Sequence, residues 1–440
     1  MTMINGYSSA DGERLSEKER SLIERRERLL GPAYRLFYER PLHTVRGDGV
    51  WLYDEQGRRY LDAYNNVASI GHCHPRVVQA IAEQAAVLNT HTRYLQEGIL
   101  DYAEDLLSTF PAELGQVMFT CTGSEANDLA LRIARHHTGG TGVIITRFAY
   151  HGVTGDISAL SPSLGSGITL PAHARTVRAP DAYRLGAENV GRLFAEDIRA
   201  AIADLRAKGI KPAALLLDGI FASDGVFAEP AGFLAEAVAL ARAEGLLYIA
   251  DEVQCGFART GAHMWGFQRH GVLPDLVTLG KPMGNGQPIA GVVARPEVLA
   301  SFGRSVRYFN TFGGNPVSCA AGQAVLNVIR EEKLQQRSAE IGDYLLQGFR
   351  RLAERHPLIG DVRGAGLFLG VELVSDRESK APAAAQTRQV VNAMRERGVL
   401  ISAAGPLENI LKIRPLLAFE REHADLLIDT LDAALTEVVG

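Results

Sequence analysis

The run Tyr248-Ile249-Ala250-Asp251-Glu252-Val253-Gln254-Cys255-Gly256-Phe257, followed by Pro274-Asp275-Leu276-Val277-Thr278-Leu279-Gly280-Lys281-Pro282-Met283-Gly284-Asn285-Gly286, decides how the chain folds. Residues 246–250 are apolar throughout and deliver the chain into Asp251, the pattern of a strand buried on both faces. Residues 276–279 repeat the pattern and lead through Gly280 into Lys281, with Gly284 and Gly286 keeping that loop open. Working outward, a further apolar strand is predicted at 213–217, and a helix around 233–243 separates it from 246–250. That is a βαβ unit, so the sheet is parallel and the fold α/β. Ligands of open α/β sheets bind beyond the carboxyl ends of the strands, which is where Asp251 and Lys281 fall. Either residue alone is unremarkable, since strands often end in Asp and a lysine in a glycine-rich loop is usually solvated.

The pair gains meaning from a phosphate cup upstream. A strand at 117–120 leads into Thr122-Gly123-Ser124-Glu125-Ala126-Asn127-Asp128, where Thr122 and Glu125 have capping-box spacing. Ala126, Leu129, Ala130, Ile133 and Ala134 then share a helical face. Gly123 permits close backbone approach and Ser124 sets a hydroxyl beside the first free N–H groups, although many helices begin this way without a ligand. An amine nucleophile, an anionic partner and an anion cup suit pyridoxal phosphate, whose aldehyde condenses with lysine and whose pyridinium nitrogen pairs with a carboxylate. A strand at 143–146 ends near Tyr150, which either stacks on a planar ligand or belongs to the core. In Ile410-Leu411-Lys412-Ile413-Arg414, the period of two puts both cations on one face. A charge-protected edge strand and an anion site explain that equally well.

The remaining sequence bounds the class. The chain has 440 residues, 46% hydrophobic and 22% charged, with net charge −5, so it is an ordinary globular protein without a nucleic-acid footprint. Cys73, Cys121, Cys255 and Cys319 fit no disulfide or zinc spacing, and neighbours in His72-Cys73-His74 point different ways, so no metal is expected. The charged N-terminus resembles neither a signal peptide nor a membrane span, and a cytoplasmic location is expected. A helix over 16–30, stopped by Gly31-Pro32, precedes a small two-stranded meander around 50–61. An irregular loop near the site is predicted over 161–185, and another strand at 289–294. From about 335 the pattern becomes α+β: a strand pair at 362–373, a helix near 390–394, strands at 399–402 and 409–414, and a closing helix. The expected partition is an N-terminal arm with part of a small domain (1–57), a large domain (58–320) and the rest of the small domain (321–440).

Occurring together and in order, these motifs resemble the class III, fold type I pyridoxal-phosphate enzymes from about Leu30 onward. The resemblance implies a mostly parallel large domain plus a smaller α+β domain from the two termini. It implies that Lys281 is the Schiff-base lysine and general acid/base, and that Asp251 holds the pyridinium nitrogen. It further implies Gly123 and Ser124 at the cofactor phosphate, Tyr150 and Val253 on the ring faces, and Gln254 at the phenolic oxygen. Thr311 would reach the neighbouring subunit's phosphate, so at least a homodimer is expected. Asn65-Asn66-Val67, Leu88-Asn89-Thr90-His91-Thr92-Arg93-Tyr94-Leu95 and Gly405-Pro406-Leu407-Glu408-Asn409-Ile410-Leu411-Lys412 are similar to words of the ethanolamine-phosphate phospho-lyase branch, close to the alanine–glyoxylate aminotransferases. Asp218-Gly219-Ile220-Phe221-Ala222-Ser223-Asp224 departs from the Glu with nearby Gln-Gly usual in aminotransferases of the class. The expected activity is elimination of phosphate from O-phosphoethanolamine or a similar phosphorylated amine. The alternative is amino transfer to pyruvate or glyoxylate. Charge and placement nominate Arg414, Lys412 and Arg93 for the substrate anion.

Overall fold

Seven strands form the central sheet of the computed structural model, which describes residues 5–8 and 15–439. Three earlier strands, β1 (Thr44–Asp48), β2 (Trp51–Asp54) and β3 (Arg59–Asp62), make an antiparallel meander, one strand more than the sequence suggested. The central strands are β4 (Gln116–Thr120), β5 (Gly142–Thr146), β6 (Ala174–Val177), β7 (Pro212–Asp218), β8 (Leu247–Asp251), β9 (Leu276–Leu279) and β10 (Ala290–Ala294). Their order across the sheet is β4-β10-β9-β8-β7-β5-β6. Strand β10 pairs antiparallel with both neighbours, and the other pairings are parallel, so the sheet is mixed but mostly parallel. The fold is therefore α/β, as expected, with a single reversed strand.

Apolar residues on both faces of the strands account for this burial. Leu215, Leu217, Tyr248, Ala250, Val277 and Leu279 pack into one core, while Ala214, Leu216, Ile249 and Leu276 pack into another on the opposite face. The helix Gly123–Thr138 covers the second core with Ala126, Leu129, Ala130, Ile133 and Ala134. Helices Val190–Ala207 and Ala235–Ala243 cover the first. Strand β6 lies inside the stretch predicted as irregular. It is a four-residue edge strand with half-buried Arg175 and Thr176, too short and too polar to announce itself.

The two ends of the chain meet. Val399–Leu400 adds a parallel strand to β3, and Ser402–Ala404 joins Ile359–Ala365, Phe368–Asp376 and Ile410–Ile413 in a separate antiparallel sheet. The single strand expected at 399–402 is thus divided between two sheets. The helix Glu17–Leu30 ends at Gly31, as read from the sequence, and begins at a Ser16–Glu19 capping box that the structure adds. Among the described residues no helix is long and apolar enough to cross a membrane.

Candidate active site

The carboxyl edge of the central sheet sets three polar residues side by side. Asp218 at the end of β7 is in register with Asp251 at the end of β8, and Asp251 with Thr278 of β9. Asp251 is buried and fully engaged: its Oδ2 accepts from His151 Nδ1 (2.7 Å) and Asn127 Nδ2 (3.0 Å), and its Oδ1 from the Val253 backbone N–H (3.1 Å). Thr278 Oγ1 donates to Asn127 Oδ1 (2.8 Å), which fixes the orientation of that amide. Burial, then the charge of Asp251, raises the Asp218 carboxyl above the usual range. The next residue serves another purpose. Glu252 accepts the Gly266 and Phe267 N–H groups at 2.7 Å each, and burial pushes its pKa up to about 7. Its role is to hold the following loop.

Lys281 follows β9 with φ +31°, a left-handed conformation costly for a residue with a side chain and characteristic of functional positions. Its Nζ lies 5.8 Å from the centre of the Tyr150 ring. Burial lowers the lysine pKa; Asp251 opposes that shift and Arg414 adds to it. Thr122 caps the helix that begins at Gly123, with the predicted capping box to Glu125. A Cβ on Gly123 would stand 2.8 Å from Val253 Cγ2, and one on Gly152, already at φ +139°, 2.4 Å from Ser124 Oγ. Glycine at both positions therefore leaves space in which backbone can approach a ligand. Thr122, Gly123, Ser124, Tyr150, Asp251, Val253, Gln254 and Lys281 all line one cavity of about 190 Å³.

A larger cavity of about 520 Å³ shares Tyr150, Gln254 and Lys281 with the first. Its wall carries Lys412 and Arg414, 7% and 5% exposed, together with Tyr64, Arg35 and Ser223. Arg414 donates to Gln254 Oε1 at 2.5 Å and lies 4.4 Å over the Tyr64 ring, while its Nε is buried without a partner among the described residues. The Lys412 side chain makes no ion pair or hydrogen bond to a described residue. Burial, then the neighbouring Arg414, drives its pKa well down, and burial also lowers that of Arg414. Asp224 is turned elsewhere, accepting from Thr146 Oγ1 (2.6 Å) and the Phe148 N–H (3.1 Å), and burial raises its pKa to about 6.

The predicted site residues thus divide in two. Gly123, Ser124, Tyr150, Asp251, Val253, Gln254, Lys281, Lys412 and Arg414 meet in the joined cavities. Arg93 and Thr311 do not line them; both are exposed, and the Arg93 guanidinium sits 3.8 Å over Phe309, on the same loop as Thr311. The sequence reading missed His151, Asn127, Asp218 and Tyr64. Asp218 ends an apolar strand as Asp251 does, and His151 adjoins Tyr150, so both had a usable signal. Among the described residues, His72 turns to Asp62 (2.8 Å) and His74 toward Glu332 (3.4 Å), and no group of metal-ligating side chains assembles.

Comparison with known proteins gives a consistent result. The class III aminotransferase family profile matches residues 37–435. A Drosophila melanogaster protein named alanine–glyoxylate aminotransferase 2-like is 42% identical, with 97% of this chain and 89% of that one covered. Ethanolamine-phosphate phospho-lyase homolog 1 of Caenorhabditis elegans is 37% identical, over 94% of this chain and 93% of that one. The solved structure of an Arthrobacter phospholyase in complex with phosphoethanolamine superposes with a TM-score of 0.91 at 46% identity, covering 94% of this chain and 99% of the other.

Proposed function

The chain belongs to the class III aminotransferase family, and we propose that within it the chain is a phospho-lyase acting on O-phosphoethanolamine or a similar phosphorylated amine. The cofactor of the family is pyridoxal phosphate, which when bound supplies a carbonyl that condenses with amines and a ring that accepts electrons from the adjoining carbon. The residues present fit it: the space left by Gly123, the buried acid Asp251 and the amine of Lys281 meet in one cavity. We assign Gly123 and Ser124 to its phosphate, Tyr150 and Val253 to the ring faces, Gln254 to the phenolic oxygen and Asp251 to the ring nitrogen. His151 and Asn127 hold the Asp251 carboxylate in place. Lys281 holds the cofactor and carries the substrate proton. Thr311, in an exposed surface that includes Tyr94, Leu95 and Phe312, is assigned to a partner protomer's phosphate in a homodimer. The four cysteines are free, which suits the cytoplasmic setting we propose.

One observation carries the choice of phospho-lyase. Two cations, Lys412 and Arg414, are buried on the wall of the larger cavity, and neither forms an ion pair with a carboxylate among the described residues. Burying unpaired charge costs several kcal/mol, and a dianionic phosphate held between them offsets that cost with charge-assisted hydrogen bonds. A carboxylate substrate needs only one such cation. An aminotransferase that also takes an uncharged group needs an acid to cover Arg414 in turn, and Asp224 is committed to Thr146 and Phe148. The departure at 218–224 supports the same reading.

Cofactor-loaded protein mixed with O-phosphoethanolamine, without any keto acid, should release equal amounts of phosphate and acetaldehyde over many turnovers. No release, with alanine instead bleaching the visible band of the loaded protein, would make it an aminotransferase. Gly123→Ala should weaken pyridoxal phosphate binding by about tenfold or more, because its methyl group must displace Val253 from the cavity wall. A spectrophotometric cofactor titration checks this, and unchanged affinity would remove Gly123 from the phosphate cup.

A further inference from the structure

We propose that Lys412 is the general acid that protonates the departing phosphate. The inference rests on the phospho-lyase reading, and chemistry creates the requirement. A phosphate ester dianion that leaves without a proton departs as a trianion, a poor leaving group. A proton delivered to the bridging oxygen as the carbon–oxygen bond breaks gives hydrogen phosphate instead. The donor must stand beside the phosphate, and it must be stable once the proton has gone. Arg414 meets only the first condition, because a guanidinium keeps its proton in proteins. Lys281 is occupied with the proton taken from carbon.

Lys412 meets both conditions. It lines the cavity that also contains Lys281 and Arg414, is 7% exposed, and its side chain makes no hydrogen bond or ion pair to a described residue. Its Nζ sits 5.6 Å from the Phe368 ring, an apolar neighbour. The charged groups whose fields reach it are Arg414, just past the end of its own strand, Asp218 at the end of β7, Asp224 beyond β7 with its carboxylate held by Thr146 and Phe148, and Lys281 beyond β9. The flanking strands oppose it with Gly370 and Ser402, which are uncharged. Burial beside other cations makes the neutral amine a comfortable end state. In the step itself, Lys281 takes the proton from the carbon attached to nitrogen, and the electron pair left behind becomes a carbon–carbon double bond. The carbon–oxygen bond breaks with its pair going to oxygen, and that oxygen takes a proton from Lys412 Nζ. Ester dianion and ammonium become hydrogen phosphate dianion and neutral amine, and Lys412 regains a proton from solvent as phosphate leaves.

The test compares wild type with Lys412→Arg and Lys412→Met, all cofactor-loaded, on O-phosphoethanolamine and on ethanolamine O-sulfate, whose sulfate departs without needing a proton. Lys412→Arg keeps the charge, so its affinity for inorganic phosphate, measured by calorimetry, should stay within about threefold of wild type. Its kcat on the phosphate ester should fall about 100-fold or more, and on the sulfate ester less than about tenfold. Lys412→Met should lose phosphate affinity as well. Equal falls on the two esters, or an unchanged kcat on the phosphate ester, would leave Lys412 as a binding residue only and overturn the proposal. Should wild type refuse the sulfate ester, a fall in kcat at preserved phosphate affinity supports the proposal, and parallel loss of both overturns it. Release of neither anion by wild type would instead overturn the phospho-lyase reading beneath it.

Discussion

Lys281→Ala should lower turnover at least about 10⁴-fold and abolish the visible absorbance of the cofactor-loaded protein, because one amine performs both covalent attachment and proton transfer. The geometry makes substitution by a neighbour implausible. Lys281 is delivered by β9 through Gly280, where an added Cβ would stand 3.2 Å from the Gly123 nitrogen, so the loop is clamped against the helix start. Burial lowers its pKa, so at neutral pH more of the amine is unprotonated and nucleophilic than in a solvated lysine. The same shift gives a stability prediction. A base whose pKa is lower folded than unfolded costs stability wherever the unfolded chain would be protonated, which includes neutral pH. Lys281→Ala relieves that cost and one repulsion with Arg414, so its melting temperature, taken without cofactor, should be no lower than wild type. A loss of absorbance accompanied by unfolding would show that the variant tests only the fold. A folded variant with unchanged absorbance would remove Lys281 from its assigned role.

The elements that could be read from the sequence are those whose signal is local. Strand β9 is 276–279 in both the reading and the structure, and β8 is displaced by one residue, because a strand buried on two faces must be an unbroken apolar run. Strand β6 carries no such run, since its edge position leaves Arg175 and Thr176 half-buried. The direction of β10 was also hidden: Ala290–Ala294 is as apolar as the parallel strands of the sheet, and only its route back from β9 reverses it. The site follows the same division. Asp251, Lys281 and Gly123 terminate or begin elements and were legible as such. Asp218 acquires significance through register with Asp251, and His151, Asn127 and Tyr64 through contacts with Asp251 and Arg414, none of which periodicity encodes. Lys412 and Arg414 were equally consistent with a protected edge, but the strand Ile410–Ile413, which carries Lys412 and ends just before Arg414, is interior to its sheet, paired with Phe368–Asp376 on one side and Ser402–Ala404 on the other. That removes the edge explanation and leaves two buried cations facing a cavity. Arg93 was chosen on charge and placement in the sequence, neither of which fixes where a side chain points, and it lies outside the wall this protomer builds.

Asp251→Asn should be nearly as damaging as loss of the lysine, with kcat lower by about 10³-fold, yet for a different reason. The carboxylate is assigned to keep the ring nitrogen protonated, and a neutral amide cannot supply the charge that does so. The surroundings make the exchange worse than a loss of charge. Oδ2 accepts from both His151 Nδ1 and Asn127 Nδ2, and Oδ1 accepts from the Val253 N–H. An asparagine must turn its NH₂ toward one of these donor sets, leaving buried N–H groups facing one another at about 1–3 kcal/mol. Asn127 has little freedom to adapt, because its oxygen is held by Thr278 Oγ1 and its nitrogen also donates to the His151 carbonyl at 2.8 Å. His151 can respond by moving its proton to Nε2, but that atom is buried without a partner among the described residues, so the change leaves an unpaired N–H there. The expected variant therefore folds with reduced stability, binds the cofactor, and shows its visible band, since Lys281 is intact. Its defect lies in the proton-transfer step, so a deuterium label on the carbon attached to nitrogen should slow it more than it slows wild type. A variant with near-normal kcat would show that charge on Asp251 is dispensable, and the strand-end acid would then be structural, a companion to Glu252.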